Sequence, residues 1–192
     1  WVPIQAENWM HINCLWVSGS FKGQGYPDEL LQHCITDARA KGMHGITILS
    51  GKKKLPFLSD PSYLKHKGFT PADEAGVFTL LQLPFHKDVK APCFAKTVFQ
   101  PKHPEHTFVL YYTDQCPFAI QYATRFAQWM NNWGQPCTVH HITTREAAQK
   151  CPAPVTSYAL FYGNTYLTNE IMSEKKAEKL WRTYGSQTVQ AG

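Results

Sequence analysis

Trp16-Val17-Ser18-Gly19-Ser20-Phe21-Lys22-Gly23-Gln24-Gly25-Tyr26-Pro27 is the stretch on which the reading of this chain turns. The apolar run before it, His11 to Val17, has the composition of a strand. After it, Asp28 to Lys41 places Leu30, Leu31, Cys34, Ile35 and Ala38 at helical spacing, and Gly42 supplies the stop. Strand, glycine loop and helix N-terminus in succession make an arrangement that binds phosphate. The loop presents backbone N–H groups, and the helix dipole adds a partial positive charge. Gly23 and Gly25 let a ligand approach the backbone with no Cβ in the way. The same pattern also serves as a plain strand-to-helix turn, and the glycines alone do not decide between the two.

Working outward, the chain has 192 residues, enough for one large or two small domains. Hydrophobic residues make up 43% and aromatics 14%, which supports real cores. The net charge of +5 suits an anionic small ligand. No basic run is interleaved with aromatics, so a nucleic-acid partner is not expected. No apolar run approaches the roughly 20 residues of a spanning helix, so no membrane partner is expected. The six cysteines, Cys14, Cys34, Cys93, Cys116, Cys137 and Cys151, form no C-x-x-C pair and no zinc spacing. They read as thiols of a reducing cytoplasm, with Cys14 and Cys34 as small buried hydrophobes, and no metal is expected.

Downstream of the first helix, His44 to Ser50 reads as a strand and Gly51 to Lys54 as a loop. Ser59-Asp60-Pro61 opens a short helix that ends at Gly68, and Val77 to Leu83 is a strong strand. Pro84 to His106 loses all periodicity and reads as a linker or an irregular crossing. A second unit starts at Thr107. Thr107 to Thr113 is a strand, Phe118 to Trp133 a helix, Cys137 to Ile142 a strand and Arg145 to Lys150 a short helix. Ser157 to Tyr162 and Thr165 to Leu167 form a hairpin over Gly163-Asn164. Ser173 caps a closing helix to Tyr184, and the tail after Gly185 reads as frayed.

Lys22-Gly23-Gln24-Gly25-Tyr26-Pro27 resembles the acetyl-CoA pyrophosphate loop of the GNAT superfamily of N-acetyltransferases. Ser62-Tyr63-Leu64-Lys65-His66-Lys67-Gly68-Phe69 resembles that family's aromatic-Gly-Phe signature. Tyr111 to Phe118, Phe161 to Asn164 and Thr168 to Lys176 are similar to the thioredoxin-like domain of the YoaP-like branch. The resemblance implies an α/β protein with mixed sheets in two units. Residues 1–85 would be a GNAT-like acetyl-CoA-binding unit without the family's first strands and helices, as in a fragment of a longer protein. Residues 86–106 would link it to a thioredoxin-like unit at 107–192 that helps define the acceptor side. Acetyl-CoA is the implied co-substrate and a small-molecule or peptide amine the implied acceptor, with a homodimer left open.

The resemblance also assigns roles. Lys22, Gly23, Gln24, Gly25, Tyr26 and Pro27 would hold the pyrophosphate. Leu15, Trp16 and Val17 would run as a strand beside the pantetheine arm, and the Val17 N–H would polarise the thioester carbonyl. Pro27 stands where the family has a glycine; at a first helical position it is well placed but removes one donor. The family tyrosine that protonates the leaving thiolate aligns with Leu64, so Tyr63 takes the role only if the helix turns by one residue. Glu7 and His11 are base candidates, each more simply read as structural or solvated. Lys52-Lys53-Lys54 would meet the ribose phosphate or, more simply, solvent. Cys116 occupies the first active-site cysteine position of the thioredoxin fold, where a helix N-terminus would lower its pKa. Ala119 stands where the second cysteine would be; Cys151 is the remaining resolving candidate, and Pro154 would stand near the fold's cis-proline, facing Cys116. Three functions are open on this reading: an acetyltransferase, an acyl-CoA-binding module without turnover, and a thiol oxidoreductase built on Cys116.

Overall fold

A computed structural model describes residues 1–185; the tail read as frayed lies outside the described residues. The chain divides into two compact units, one of Ile4–Phe94 and one of Trp1–Pro3 with the chain from Ala95 onward. Both are α/β with mixed sheets.

In the first unit, β1 (Ile4–Gln5) pairs with β6 (Cys93–Phe94) as a small ribbon. The main sheet holds β2 (Trp9–Ile12), β3 (Gly45–Gly51), β4 (Thr70–Ala75) and β5 (Phe78–Pro84) in the order β2-β3-β5-β4. β2 and β3 are parallel and the other pairs antiparallel. The parallel pair needs a crossover, which α1 (Tyr26–Ala40) supplies. One stripe of α1, with Leu31 and Ala38, packs with Leu64 of α2 (Pro61–His66) onto Ile46, Ile48 and Leu81 on one face of the sheet. Asp60 caps α2, its carboxylate accepting the Ser62 N–H at 2.8 Å. β3 is buried along its whole length, and a Cβ on Gly45 would strike the Leu83 carbonyl and the Trp9 ring.

The second unit orders β7 (Phe108–Tyr112), β8 (Cys137–His141), β9 (Tyr158–Tyr162) and β10 (Thr165–Thr168) as β10-β9-β7-β8. Alternation along β7 splits its core in two. Phe108, Leu110 and Tyr112 face α3 (Ala119–Asn132) and α5 (Glu174–Tyr184). Val109 and Tyr111 face α4 (Arg145–Gln149) and the segment from Cys151 to Ala153.

Several expectations are corrected. The strand read from His11 to Val17 stops at Ile12, so Leu15, Trp16 and Val17 lie in a loop. Cys14 is exposed, because the chain has left the sheet before it arrives. Pro27 is the second helical residue, with Tyr26 first. Ser173 sits at the N-cap of α5, but its hydroxyl makes no capping bond. Every peptide bond among the described residues is trans, including the one before Pro154.

Candidate functional site

The parting of two strands creates the site. β2 and β3 pair from Trp9–Gly45 to Ile12–Ile48, and there β2 ends. β3 continues to Gly51, paired only with β5. Among the described residues the β2-facing edge of Leu49–Gly51 therefore has no strand against it. On the other side of the gap, Asn13 to Ser18 runs as non-sheet chain into a short 3-10 turn at Gly19–Phe21.

From that turn the chain enters the loop. Gly19, Gly23 and Gly25 have φ of +61°, +79° and +85°, a region that costs side-chain-bearing residues strain. Gly25 is the N-cap of α1, and its carbonyl accepts from Asp28 at 2.9 Å and Glu29 at 3.3 Å. The N–H groups of Gly23, Gln24, Gly25 and Tyr26 find no backbone acceptor among the described residues. They stand at the positive end of a 15-residue helix. The Gln24 side chain bonds the Ser20 carbonyl at 2.6 Å and stiffens the loop.

Beside the loop lies a cleft of about 550 Å³ lined in part by Trp16, Val17, Phe21, Tyr26 and Leu30. Trp16 is 63% exposed and Phe21 59%. The Lys22 ammonium lies 5.8 Å from the Trp16 ring centre. The structure brings Trp16, Val17 and Tyr26 to one cleft and Lys22 to the Trp16 ring. Lys52 and Lys54 instead pair with Glu74 at 2.8 Å and Asp60 at 3.6 Å.

The comparisons with known proteins fit this geometry. Residues 1–56 match the model of the acetyltransferase (GNAT) family, and residues 136–179 match the model described as YoaP-like. The chain is 42% identical over 184 residues to the "Uncharacterized N-acetyltransferase YoaP" of Bacillus subtilis (strain 168), covering 95% of this chain and 73% of that protein. The chain belongs to the GNAT family of acetyltransferases. No solved structure is a significant match.

Two carboxylate contacts of this GNAT chain escaped sequence reading. The Tyr63 hydroxyl donates to Asp28 Oδ1 at 2.9 Å, and Lys67 Nζ donates to Oδ2 at 2.6 Å. Together they tie α2 to the first turn of α1. The Lys67 ammonium, then the Tyr63 hydroxyl, hold the Asp28 carboxyl below its usual range. Burial, then the Asp28 carboxylate, pushes the Tyr63 phenol up to about 12. Leu64 is fully buried in the core. The signal for this triad was the i, i+4 spacing of Tyr63 and Lys67 with an acid in the first turn of the preceding helix.

His11 sits on β2 with its ring bonded to the Thr47 hydroxyl at 2.8 Å, and burial pushes the imidazole down to about 4. It is neutral at pH 7. In the second unit, Cys116 precedes α3, its carbonyl accepting the Ala119 N–H at 3.0 Å, and it packs on the cluster of Tyr112 and Tyr158. Cys151 belongs to the other cluster, with Val109 and Phe161 across the sheet, and burial pushes its thiol up to about 12. Cys151, the resolving candidate, therefore lies on the opposite face from Cys116. Among the described residues no group of three or more His, Cys, Asp or Glu is arranged to hold a metal, and no helix is long and apolar enough to cross a membrane.

Proposed function

We propose that the protein is an acetyl-CoA-dependent N-acetyltransferase in which an amine attacks the thioester directly. The observation that carries this reading is the parting of β2 and β3 ahead of a loop in which the N–H groups of Gly23, Gln24, Gly25 and Tyr26 have no backbone acceptor among the described residues. Lys22 to Pro27 would take the pyrophosphate: Gly23, Gln24, Gly25 and Tyr26 offer N–H donors and Lys22 a cation, while Pro27 offers none. The pantetheine arm would enter the gap, using the edge of Leu49–Gly51 that β2 leaves unpaired and the backbone of Leu15, Trp16 and Val17. The Val17 N–H would polarise the carbonyl, and Tyr63 would return a proton to the thiolate. Residues 1–85 would form the acetyl-CoA unit, 86–106 a linker and 107–192 a thioredoxin-like unit, all working in the cytoplasm.

Calorimetry with acetyl-CoA and a free-thiol assay over an amine panel test this directly. Micromolar binding with thiol release is expected, and absence of any binding heat sinks the reading. Tyr63→Phe should lower turnover about tenfold with acetyl-CoA affinity unchanged, the equivalent of ~1.4 kcal/mol in barrier. Unchanged turnover would remove Tyr63 from the chemistry.

One observation favours a second reading, an acyl-CoA-binding module without turnover. The Tyr63 proton is already donated to Asp28, and Leu64 is sealed in the core. Binding without thiol release for any amine would select it. For the thiol-redox reading, the opposite placement of Cys116 and Cys151 leaves only a monothiol role.

A further inference from the structure

α1 places two acids, Asp28 and Glu29, in its own first turn, directly after the loop whose N–H groups would attract an anion. A carboxylate there competes with an anionic ligand for the same positive helix end. The chain offsets one of these charges from a distant point. Lys67, which closes α2, sets its ammonium 2.6 Å from Asp28 Oδ2. The Tyr63 hydroxyl, one turn earlier on α2, donates to Asp28 Oδ1 at 2.9 Å. The Lys67 ammonium also lies 5.6 Å from the Tyr63 ring centre, so the three side chains form one cluster. Both carboxylate oxygens are thus engaged from the α2 side, and among the described residues neither turns back onto the loop N–H groups. Lys67, then Tyr63, keeps the Asp28 carboxyl ionised, so the acid carries its charge whenever a ligand arrives.

We infer that Lys67 is a positioning residue for the anion cradle: it neutralises Asp28 and holds the carboxylate to the α2 side, which keeps the N-terminus of α1 fit for the diphosphate of the cofactor. The inference rests on the acetyl-CoA reading above. Asp28 serves as the acceptor that holds Tyr63, the proposed proton donor, and that anchor brings an unwanted negative charge to the cradle. Lys67 cancels it without touching the ligand. With Lys67 in place, Lys22 and Lys67 stand against Asp28 and Glu29; without it the two acids face one cation. A carboxylate left uncompensated beside a ligand of two or more negative charges lowers affinity by Coulomb repulsion, and salt screens that loss. An ordinary surface ion pair would do none of this, since its removal leaves ligand affinity untouched.

The test uses the whole chain and calorimetry with acetyl-CoA and with inorganic pyrophosphate. Lys67→Met should weaken both ligands about tenfold at low salt, and the gap should shrink to about twofold near ~0.5 M salt. Asp28→Asn keeps an oxygen for the Tyr63 hydroxyl and frees the ammonium, so it should tighten both ligands about threefold. The double variant should return to within about twofold of the wild type, as should Lys67→Arg. A tie that only fastens α2 to α1 gives a different order: both single variants weaken binding and the double variant is weakest. That order, or unchanged affinity in Lys67→Met, overturns the inference while acetyl-CoA binding stands. Should Lys67→Met fail to fold, Asp28→Asn decides by its sign: tighter binding supports the inference, and equal or weaker binding overturns it. If acetyl-CoA does not bind the wild type, the acetyl-transfer reading falls. Pyrophosphate binding that follows the charge order then still upholds the role of Lys67, and absence of pyrophosphate binding ends it.

Discussion

Two strand-to-helix junctions in this chain share one connectivity and differ in almost everything else. In the first unit β2 leads to α1 and returns in parallel as β3; in the second β7 leads to α3 and returns in parallel as β8. In the second unit the ladder runs to the last strand residues, Tyr112 opposite His141, and the Ile142 N–H extends it by bonding the Tyr112 carbonyl at 2.8 Å. Asp114 and His141 close the corner at 2.7 Å, and no residue from Thr113 to Phe118 has a positive φ. In the first unit the ladder ends three residues before β3 does, and glycines turn the loop so that the N–H groups of Gly23, Gln24, Gly25 and Tyr26 have no backbone acceptor among the described residues. A parallel junction becomes a cradle when its strands part and a sealed corner when they do not.

The comparison can be broken most severely from the core that packs α3 onto β7. Phe126 is fully buried between α3 and β7, touching Phe108 edge-on at 5.8 Å. Phe126→Ala should cost about 3–5 kcal/mol in urea unfolding. A loss below ~1 kcal/mol would show that α3 is not held to β7 by this core.

His11 tests how firmly β2 is held before the open junction. Its folded imidazole is held down to about 4, against an ordinary value of 6.5. Between those values the unfolded chain binds a proton that the folded chain refuses. The stability due to neutral His11 is therefore complete above pH 6.5 and falls as pH drops toward 4, by about 3 kcal/mol in all. His11→Gln should flatten that slope in thermal melts between pH 7 and 4; an unaltered slope would place the effect elsewhere.

Gly25 probes the cradle. Its φ of +85° resists any side chain, although a Cβ would meet open space. Gly25→Ala should cost about 1–2 kcal/mol in stability. Acetyl-CoA affinity by calorimetry should fall about tenfold, and wild-type affinity would remove the loop from the binding site.

The smallest effect belongs to the sealed junction's thiol. Cys116→Ser should leave acetyl transfer within about twofold. A thiol reagent at pH 8 should reach Cys116 before Cys137 and Cys151, whose thiols burial pushes up to about 12. Earlier labelling of Cys151 would mean that the second unit opens more readily than its packing implies.

Much of this was legible in the residues. Gly42, Gly68 and Gly134 marked helix ends and each has a positive φ; Asp60 before Pro61 marked a cap that the structure forms. The glycine loop was legible because only glycine takes those dihedrals without strain. The end of β2 was not, since Cys14 to Val17 are as apolar as the strand before them, and only the partner strand's direction decides where pairing stops. The Asp28–Tyr63–Lys67 cluster was missed because its members lie 35 and 39 residues apart, and only the packing of α2 beside α1 joins them.

By itself the sequence determined the local grammar of this GNAT chain: which stretches coil or extend, where helices start and stop, and which loop exposes backbone donors. Those properties depend on dihedral preference and on spacing along the chain. Tertiary structure alone decided that β2 and β3 part, that Tyr63 and Lys67 meet Asp28, and that Cys116 and Cys151 lie on opposite faces of one sheet. Each is a relation between distant segments, set by which surfaces bury one another and not by any residue's own preference.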